Sequence, residues 1–250
     1  MIARLRASIA IRCAREVTGM PQRRTKPKYR RTPANLRRQA LVDATLACLR
    51  KFGHEGVSVR RISAQAGVSP GLINHHFPSI TTLAAAAYET LAMSLLHSIR
   101  RHAQLPGASP RERLRRFFEA SFTPDILDPE IFNVWLVFWS RVSHDPEMRV
   151  VYDRTSEAYR ATIESMLAQL QRTADVPAFN VRLAGIALVA LLDGLWVSSS
   201  LNPKTFKPSD AVALCEDWTD ALCSGAFSNV RTARTPRAPR LQAAPARRGS

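Results

Sequence analysis

The chain has 250 residues, of which 46% are hydrophobic, and a net charge of +16, so it can bury a substantial core and suits an anionic partner. Its best apolar run, residues 185–197, contains Asp193 and is predicted to be too short to span a bilayer, which argues against a membrane protein. Its four cysteines lack zinc-type spacing, which argues against a zinc finger and indicates a reducing cytoplasm.

Positive charge is concentrated at the two ends of the chain. Residues 1–31 carry +9 and are interpreted as a disordered basic arm, within which Met20 is a candidate true start of translation. Residues 229–250 carry +6 and are rich in Arg, Pro and Ala, which predicts a disordered, solvated tail in preference to a specific DNA contact. Residues 32–78 carry +4 and residues 79–228 carry −3, so a phosphate-binding part is expected towards the N terminus.

The first predicted helix spans residues 35–51 and is amphipathic. Apolar residues recur at three- and four-residue spacing, which places them on one face: Leu36, Ala40, Leu41, Ala44, Leu49 and Phe52. Cys48 lies among them and is expected to be a small core residue.

Two short helices joined by a tight turn are predicted within residues 58–77. Ser58 can cap the first helix by accepting a backbone N–H, and Gly67 can end it because glycine takes a positive φ without steric cost. Ser69 can cap the second helix, whose first position suits Pro70 because no N–H is needed there. This is a helix-turn-helix, whose second helix enters a DNA major groove. The alternative is an ordinary helical hairpin in a core, since Ala-Gly-Val-Ser alone is a weak signal.

The outward residues of this motif suit DNA contact. Asn74 can pair with an adenine edge through two hydrogen bonds, and His75 and His76 can donate to bases or phosphate. Arg60 and Arg61 on the first helix are expected at the DNA backbone. The full predicted DNA-binding set is Arg37, Ser58, Arg60, Arg61, Ser69, Pro70, Gly71, Ile73, Asn74, His75 and His76.

The rest of the chain is predicted to be helical, since it shows no strand-period alternation. Ser-Pro or Asp-Pro pairs mark three helix starts, at residues 110, 129 and 146. The helices predicted with both ends cover residues 79–102, 146–171, 177–199 and 208–224. The predicted fold is therefore all-α. It has a three-helix DNA-binding domain over residues 32–82 and a ligand-binding and dimerisation domain over residues 83–228.

The penultimate helix is apolar on nearly every side, so it is expected to be buried on more than one face. Together with the last helix it can supply half of a four-helix bundle between two copies of the chain. A homodimer is also what a single helix-turn-helix needs to read a palindromic site.

The N-terminal pattern resembles the TetR family of bacterial regulators over residues 37–95. The resemblance rests on Phe52-Gly53-His54-Glu55-Gly56, on Ala66-Gly67-Val68-Ser69 and on His76-Phe77-Pro78-Ser79. Two positions depart from the family pattern: His76 stands where Tyr is usual, and Ile80 stands where Lys is usual. The second change removes a phosphate contact.

The downstream half is similar to the choline-responsive BetI-type repressors within that family, through residues 135–139 (WLVFW) and 192–196 (LDGLW). The resemblance implies a homodimeric repressor of choline-to-glycine betaine genes. A small inducer, choline or a related quaternary ammonium such as betaine aldehyde, releases it from a double-stranded palindromic operator. Such a cation offers no N–H donor and is held by aromatic ring faces. The predicted ligand-binding set is Trp135, Phe138, Trp139 and Trp196, with Asp193 as counter-charge.

These ligand residues have competing interpretations. Trp135, Phe138 and Trp139 follow i, i+3, i+4 spacing, which equally predicts core packing or a dimer contact. Asp193 is costly inside so apolar a helix unless it is bonded, paired or functional, and it can instead cap a turn or meet its dimer mate.

Other classes of function fit the sequence less well than a repressor does. The chain has no HExxH motif and no phosphate-cradling Gly-rich loop, so neither an enzyme nor a cofactor or metal site is expected. A nonspecific nucleic-acid packaging protein would use the basic ends, but phosphate contacts carry no sequence choice. A TetR-type regulator of efflux or of another catabolic pathway is the nearer alternative. The expected location is the bacterial cytoplasm, in association with the nucleoid.

Overall fold

The structure is a computed structural model that describes residues 34–173 and 175–226. Within those residues every regular element is helical, which confirms the all-α prediction. The predicted arm over residues 1–31, the start at Met20 and the tail over residues 229–250 lie outside the described residues. The helices are α1 (Ala34–Phe52), α2 (Val59–Ala66), α3 (Pro70–His76), α4 (Ile80–Ala103), α5 (Pro110–Ser121), α6 (Pro129–Val142), α7 (Pro146–Gln171), α8 (Val181–Leu201) and α9 (Pro208–Cys223), with a 3-10 turn over Gly53–Gly56.

Most helix starts follow the capping residues in the sequence. The side-chain oxygens of Ser109, Asp128 and Asp145 each accept a backbone N–H of the following first turn, at 2.9 to 3.1 Å. A proline occupies the first turn of each of these helices. Helix α8 begins after Asn180 and not at 177, because the Asn180 side chain supplies the cap.

The N-terminal core is built where α1, α2, α3 and α4 meet. Its fully buried side chains include Leu41, Cys48, Leu49, Ile62 and Phe77, so Cys48 is the core residue that was predicted. Burial along α1 begins only at Leu41. Leu36 is 60% exposed, Phe52 is 37% exposed and Ala40 is exposed, so the predicted apolar face of α1 is buried only along its middle. Periodicity identifies the apolar face of a helix, but the neighbouring helices decide how much of its length is covered.

Gly56 lies where the 3-10 turn presses against α1. A Cβ on Gly56 would lie 2.4 Å from the backbone oxygen of Cys48 and 2.6 Å from its carbonyl carbon, so the backbone would have to move. We expect Gly56→Ala to destabilise the protein by about 1–3 kcal/mol through overpacking. Thermal unfolding followed by circular dichroism measures this. Gly71→Ala is the control, since nothing lies within 4 Å of the added Cβ. Equal melting temperatures for the two variants would contradict the packing argument.

Helix α4 belongs to both halves of the molecule. The predicted domain boundary at residues 82 and 83 falls within its first turn, and α4 packs against α1 at one end and against α5 and α7 further along. Side chains of α6 and α7 join the same buried cluster as α1 to α4. The Thr82 hydroxyl also donates to Glu147 Oε2 at 2.8 Å. The division into two domains stays a prediction, and α4, α6 and α7 connect the two parts.

Helix α8 corrects one expectation drawn from the sequence. Its 21 residues have a mean hydropathy of 1.7 over an 18-residue window, so by length and composition alone it is long enough to cross a membrane. The prediction considered only residues 185–197 and counted Asp193 against them, whereas an average over 18 residues tolerates an isolated charge. Leu188 and Leu192 are buried against neighbouring helices, but only 22% of the window is buried within the described chain, so the expected burial of α8 on more than one face is not seen there.

Candidate DNA-binding surface and ligand cavity

The turn between α2 and α3 has most of the predicted geometry. The Ser58 hydroxyl accepts the Arg61 backbone N–H at 3.3 Å, and α2 ends at Gly67, whose φ of +65° lies in the left-handed region. Pro70 occupies the first position of α3. Ser69 holds the cap position with an extended backbone, but its side chain accepts no helix N–H from the described residues, so the predicted capping bond is absent.

Helix α3 has an exposed strip opposite a buried face. Pro70, Gly71, Asn74 and His75 are exposed and recur at three- and four-residue spacing, as residues on one side of a helix do. Ile73 is 0% exposed and packs into the N-terminal core, so its predicted DNA contact is wrong. A helix of only seven residues must use one face to attach to the domain, which leaves the opposite face for a partner.

The predicted basic contacts differ in their surroundings. Arg60 is exposed, whereas Arg37 is half-buried. Arg61 donates to Glu55 Oε2 at 3.2 Å, and its guanidinium lies 4.3 Å from the centroid of the Phe52 ring. Arg61 would have to leave this pair to reach DNA, at a small cost because the pair is largely exposed.

His76 ends α3 and is half-buried. Burial lowers the pKa of its imidazole, and the neighbouring charges of His75, Arg37 and Arg38 lower it further, which favours the neutral ring. Its Nε2 is buried without a hydrogen-bond partner in the described part of the chain. The exposed ring of His75 is therefore better placed for a phosphate or base contact.

Two features of this surface were not predicted. Arg38 donates to the backbone oxygen of His76 at 3.0 Å, and its guanidinium carbon lies 4.0 Å from the centroid of the Phe77 ring. In the sequence Arg38 is only one more basic residue of α1, because its partner is 38 positions away. Ile80, where the family usually has Lys, packs half-buried against the N-terminal core.

A cavity of about 190 Å³ lies between α4, α6, α7 and α8. A volume of this size holds on the order of a dozen water molecules, and so it can hold a small organic molecule. Most of the lining is apolar or aromatic, which is typical of ligand sites. The polar side chains on its wall include Ser121, Thr155, Ser156 and Asp193.

Three indole rings form one wall of this cavity. The ring centroids of Trp135, Trp139 and Trp196 lie 5.9 to 6.2 Å from one another, and Tyr88 lies 5.3 Å from Trp135. The structure therefore brings together the three predicted tryptophans from α6 and α8. Phe138 is 0% exposed and does not line the cavity, so its predicted ligand contact is wrong. The core-packing interpretation of the i, i+3, i+4 pattern holds for that residue.

Asp193 lines the cavity and also reaches the surface of the isolated chain. The protein around it still removes enough water to raise its pKa to about 6. Among the described residues it has neither an ion pair nor a hydrogen bond, so the predicted capping role is not seen. Burial raises the pKa of Tyr88 to about 12 and also raises the pKa of Tyr159, so both phenols stay protonated beside it. Within this part of the chain, the cavity thus has a carboxylate without a counter-charge.

The chain matches known regulators in both halves. Residues 41–87 match the family of bacterial regulatory proteins of the tetR type, and residues 110–224 match the C-terminal domain of BetI-type transcriptional repressors. The HTH-type transcriptional regulator BetI of Serratia proteamaculans is 31% identical over 184 residues, which cover 73% of this chain and 90% of the relative. The chain belongs to the TetR family. This TetR-family transcriptional regulator has a BetI-type C-terminal domain, and the relatives that show this are regulators and not enzymes.

Solved structures agree with this assignment. A transcriptional regulator from Pseudomonas aeruginosa PAO1 superposes with a TM-score of 0.75 and 40% identity, covering 83% of this chain and all of the other. A regulator from Saccharomonospora viridis in complex with choline has a TM-score of 0.63 and 22% identity, covering 74% and 96% of the two chains. The similarity to the Saccharomonospora viridis protein shows that this chain has the same fold.

Proposed function

We propose that this TetR-family regulator is a homodimeric repressor that leaves a palindromic operator when choline or a related quaternary ammonium fills the cavity. The observation that carries this proposal is the convergence of three indole rings and the Asp193 carboxylate on a single cavity. A quaternary ammonium offers no N–H, so ring faces and an opposite charge are the means of holding it. The BetI relatives and the choline complex of the Saccharomonospora viridis protein support this ligand class.

The proposed DNA contacts are the exposed members of the predicted set. Asn74 and His75 lie on the exposed strip of α3 and would read base edges, while Arg60 would bind the backbone. Ser69, Pro70 and Gly71, at the start of α3, would come close to the sugar-phosphate backbone. The regulator would act in the bacterial cytoplasm, on the nucleoid.

Dimerisation is supported by an exposed apolar face on α8 and α9. Leu201 is 69% exposed, Leu214 is 49% exposed and Ile186 is 41% exposed, beside the exposed small residues Ala190 and Gly194. Small and apolar side chains allow helices of a second copy to pack closely. Two helices from each copy would form the four-helix bundle that the sequence predicts.

The link between ligand and DNA is proposed to run through the helices that both parts share. Trp139 of α6 lines the cavity, and two residues further on Arg141 donates to the Thr81 hydroxyl at 3.4 Å. Glu147 in the first turn of α7 accepts from Thr82 at 2.8 Å. A ligand that prefers one arrangement of α4, α6 and α7 therefore shifts the spacing of the two helix-turn-helix units. A ligand that binds both arrangements with equal affinity would not shift the equilibrium between them.

The test is a binding titration on the DNA that flanks the regulator's own gene, with and without choline or betaine aldehyde. We expect binding that competitor DNA does not displace, and at least about a tenfold loss of affinity at saturating ligand, which corresponds to a coupling free energy of about 1.4 kcal/mol. Specific binding that neither compound changes would remove the choline assignment and leave the DNA-binding assignment intact.

A regulator of efflux or of another catabolic pathway is the second candidate. It is favoured by the apolar part of the cavity wall, which includes Leu95, Leu96, Ile99 and Phe122. These side chains suit a ligand with a hydrocarbon portion larger than choline provides. Release of DNA by hydrophobic organic compounds, and not by choline, would support this candidate.

A further inference from the structure

Arg38, a basic residue of α1, touches the end of α3 and has no part in the proposed DNA contacts or the ligand cavity. Its guanidinium lies over the Phe77 ring, with the central carbon 4.0 Å from the ring centroid. One of its nitrogens donates to the backbone oxygen of His76 at 3.0 Å. Phe77 is 0% exposed, so the ring under Arg38 is fixed by the core.

Helix α3 needs such support at this end. It has seven residues, too few for a helix to be stable by itself in water. The last carbonyls of any helix lack partners within the helix and carry its negative partial charge. Arg38 supplies a donor and a positive charge at that end, and the stacking on Phe77 restrains its side chain.

We propose that Arg38 is a positioning residue for DNA recognition, which fixes the orientation of α3 in the domain instead of binding a phosphate. This inference rests on the proposed role of α3 as the reading helix. Holding the C-terminal end of α3 keeps Asn74 and His75 aligned with base edges. Loss of Arg38 should therefore reduce sequence-specific binding and leave the nonspecific electrostatic component in place.

The experiment compares Arg38→Gln and Arg38→Lys with wild type on a DNA site selected from a random-sequence pool and on an unrelated duplex, over a range of salt concentrations. For both variants we expect specific affinity to fall by roughly fivefold to tenfold, towards the upper end of what a single hydrogen bond contributes but below the charge-assisted range, because this one is exposed. Nonspecific affinity and the slope of log K against log salt should stay unchanged. Lysine is expected to fail because it keeps the charge but loses the planar fork and the stacking.

Direct binding of a phosphate by Arg38 gives the opposite pattern and would overturn the proposal. In that case Arg38→Gln would weaken specific and nonspecific binding alike and reduce the salt slope by about 0.9 for each phosphate that is no longer neutralised, while Arg38→Lys would restore both. Arg60→Gln, at an exposed arginine of α2, is the matched control and is expected to show this phosphate pattern. Binding is measured well below the melting temperature of each variant, so that unfolding does not imitate a loss of specificity.

Asn74→Ala, assayed in parallel, distinguishes failure of the positioning role of Arg38 from failure of the proposed role of α3 as the reading helix. If Asn74→Ala loses specificity and Arg38→Gln does not, Arg38 has no positioning role and α3 remains the reading helix. If Asn74→Ala binds the selected site like wild type, the proposed docking of α3 is wrong, and the positioning role falls with it.

Discussion

Replacing Asn74 with alanine is expected to lower the affinity for the specific DNA site by about 5- to 150-fold per half-site, since each bidentate contact to a base is worth roughly 1–3 kcal/mol. Asn74 is exposed in the middle of the strip that α3 presents, between Gly71 and His75. In a dimer the substitution would remove this pair of hydrogen bonds from both half-sites. Nonspecific affinity should hardly change, because an amide neutralises no phosphate.

The measurement is an equilibrium titration of the selected site and of a duplex in which the base pair read by Asn74 is changed. Wild type should discriminate between the two duplexes, and Asn74→Ala should bind both with similar affinity. Asn133→Ala is the control, because Asn133 is an exposed asparagine on α6 and not on either helix of the helix-turn-helix. A variant that keeps full discrimination at every base pair would contradict the placement of Asn74 in the groove.

Removing the charge of Asp193 is expected to weaken choline binding by about 30-fold or more, because the bound cation loses its counter-charge. The same carboxylate predicts how wild-type affinity depends on pH. The pKa of Asp193 is raised to about 6, so the group is ionised at pH 7.5 and mostly protonated at pH 5. Choline keeps its charge at both values. Its affinity should therefore fall by about tenfold from pH 7.5 to pH 5, following the ionised fraction of a single carboxyl.

Isothermal titration calorimetry with choline across this pH range tests both statements. Asp193→Asn should bind weakly with no pH dependence, whereas Asp153→Asn, at an exposed position on α7, should behave like wild type. Tyr88 and Tyr159 beside Asp193 do not titrate in this range, because the pKa of each is raised. A pH-independent wild-type affinity would show that the cation does not meet Asp193.

Thermal stability without ligand gives an independent check on the same carboxyl. Because the folded-state pKa of Asp193 is raised, the folded protein binds this proton more tightly than the unfolded chain does. Its contribution to stability is therefore lost as pH rises through about 6. Asp193→Asn should melt at a higher temperature than wild type at pH 7.5, and the difference should shrink at pH 5.

The sequence predicted correctly those features that depend on neighbouring residues. Ser58 caps α2, Gly67 ends it in the left-handed region and Pro70 begins α3, because caps and turns are decided within four or five residues of the chain. Proline after Asp or Ser marked the starts of α5, α6 and α7 for the same reason. The exception is Ser69, whose hydroxyl does not form the bond that its position allows.

Predictions about individual side chains failed where two faces of a helix were equally plausible. Ile73 was assigned to DNA and Phe138 to the ligand, yet both are fully buried. Spacing shows that residues share a face, but it does not say whether that face meets the core, a cavity or solvent. Leu36 shows the same limit: it shares the apolar face of α1 but is 60% exposed, because the neighbouring helices do not cover the first turns of α1.

By itself the sequence determined the all-helical fold, the helix-turn-helix and the likeness to the TetR family, because periodicity, capping and motifs are local properties of the chain. Only the tertiary structure decided that Trp135, Trp139, Trp196 and Asp193 border one cavity, and that Arg38 reaches the end of α3. Trp139 and Asp193 are 54 positions apart in the chain, and Arg38 is 38 positions from His76. Whether such distant residues meet depends on how the helices pack. This packing is determined by close contacts among side chains from many helices, so no single segment of the sequence specifies it.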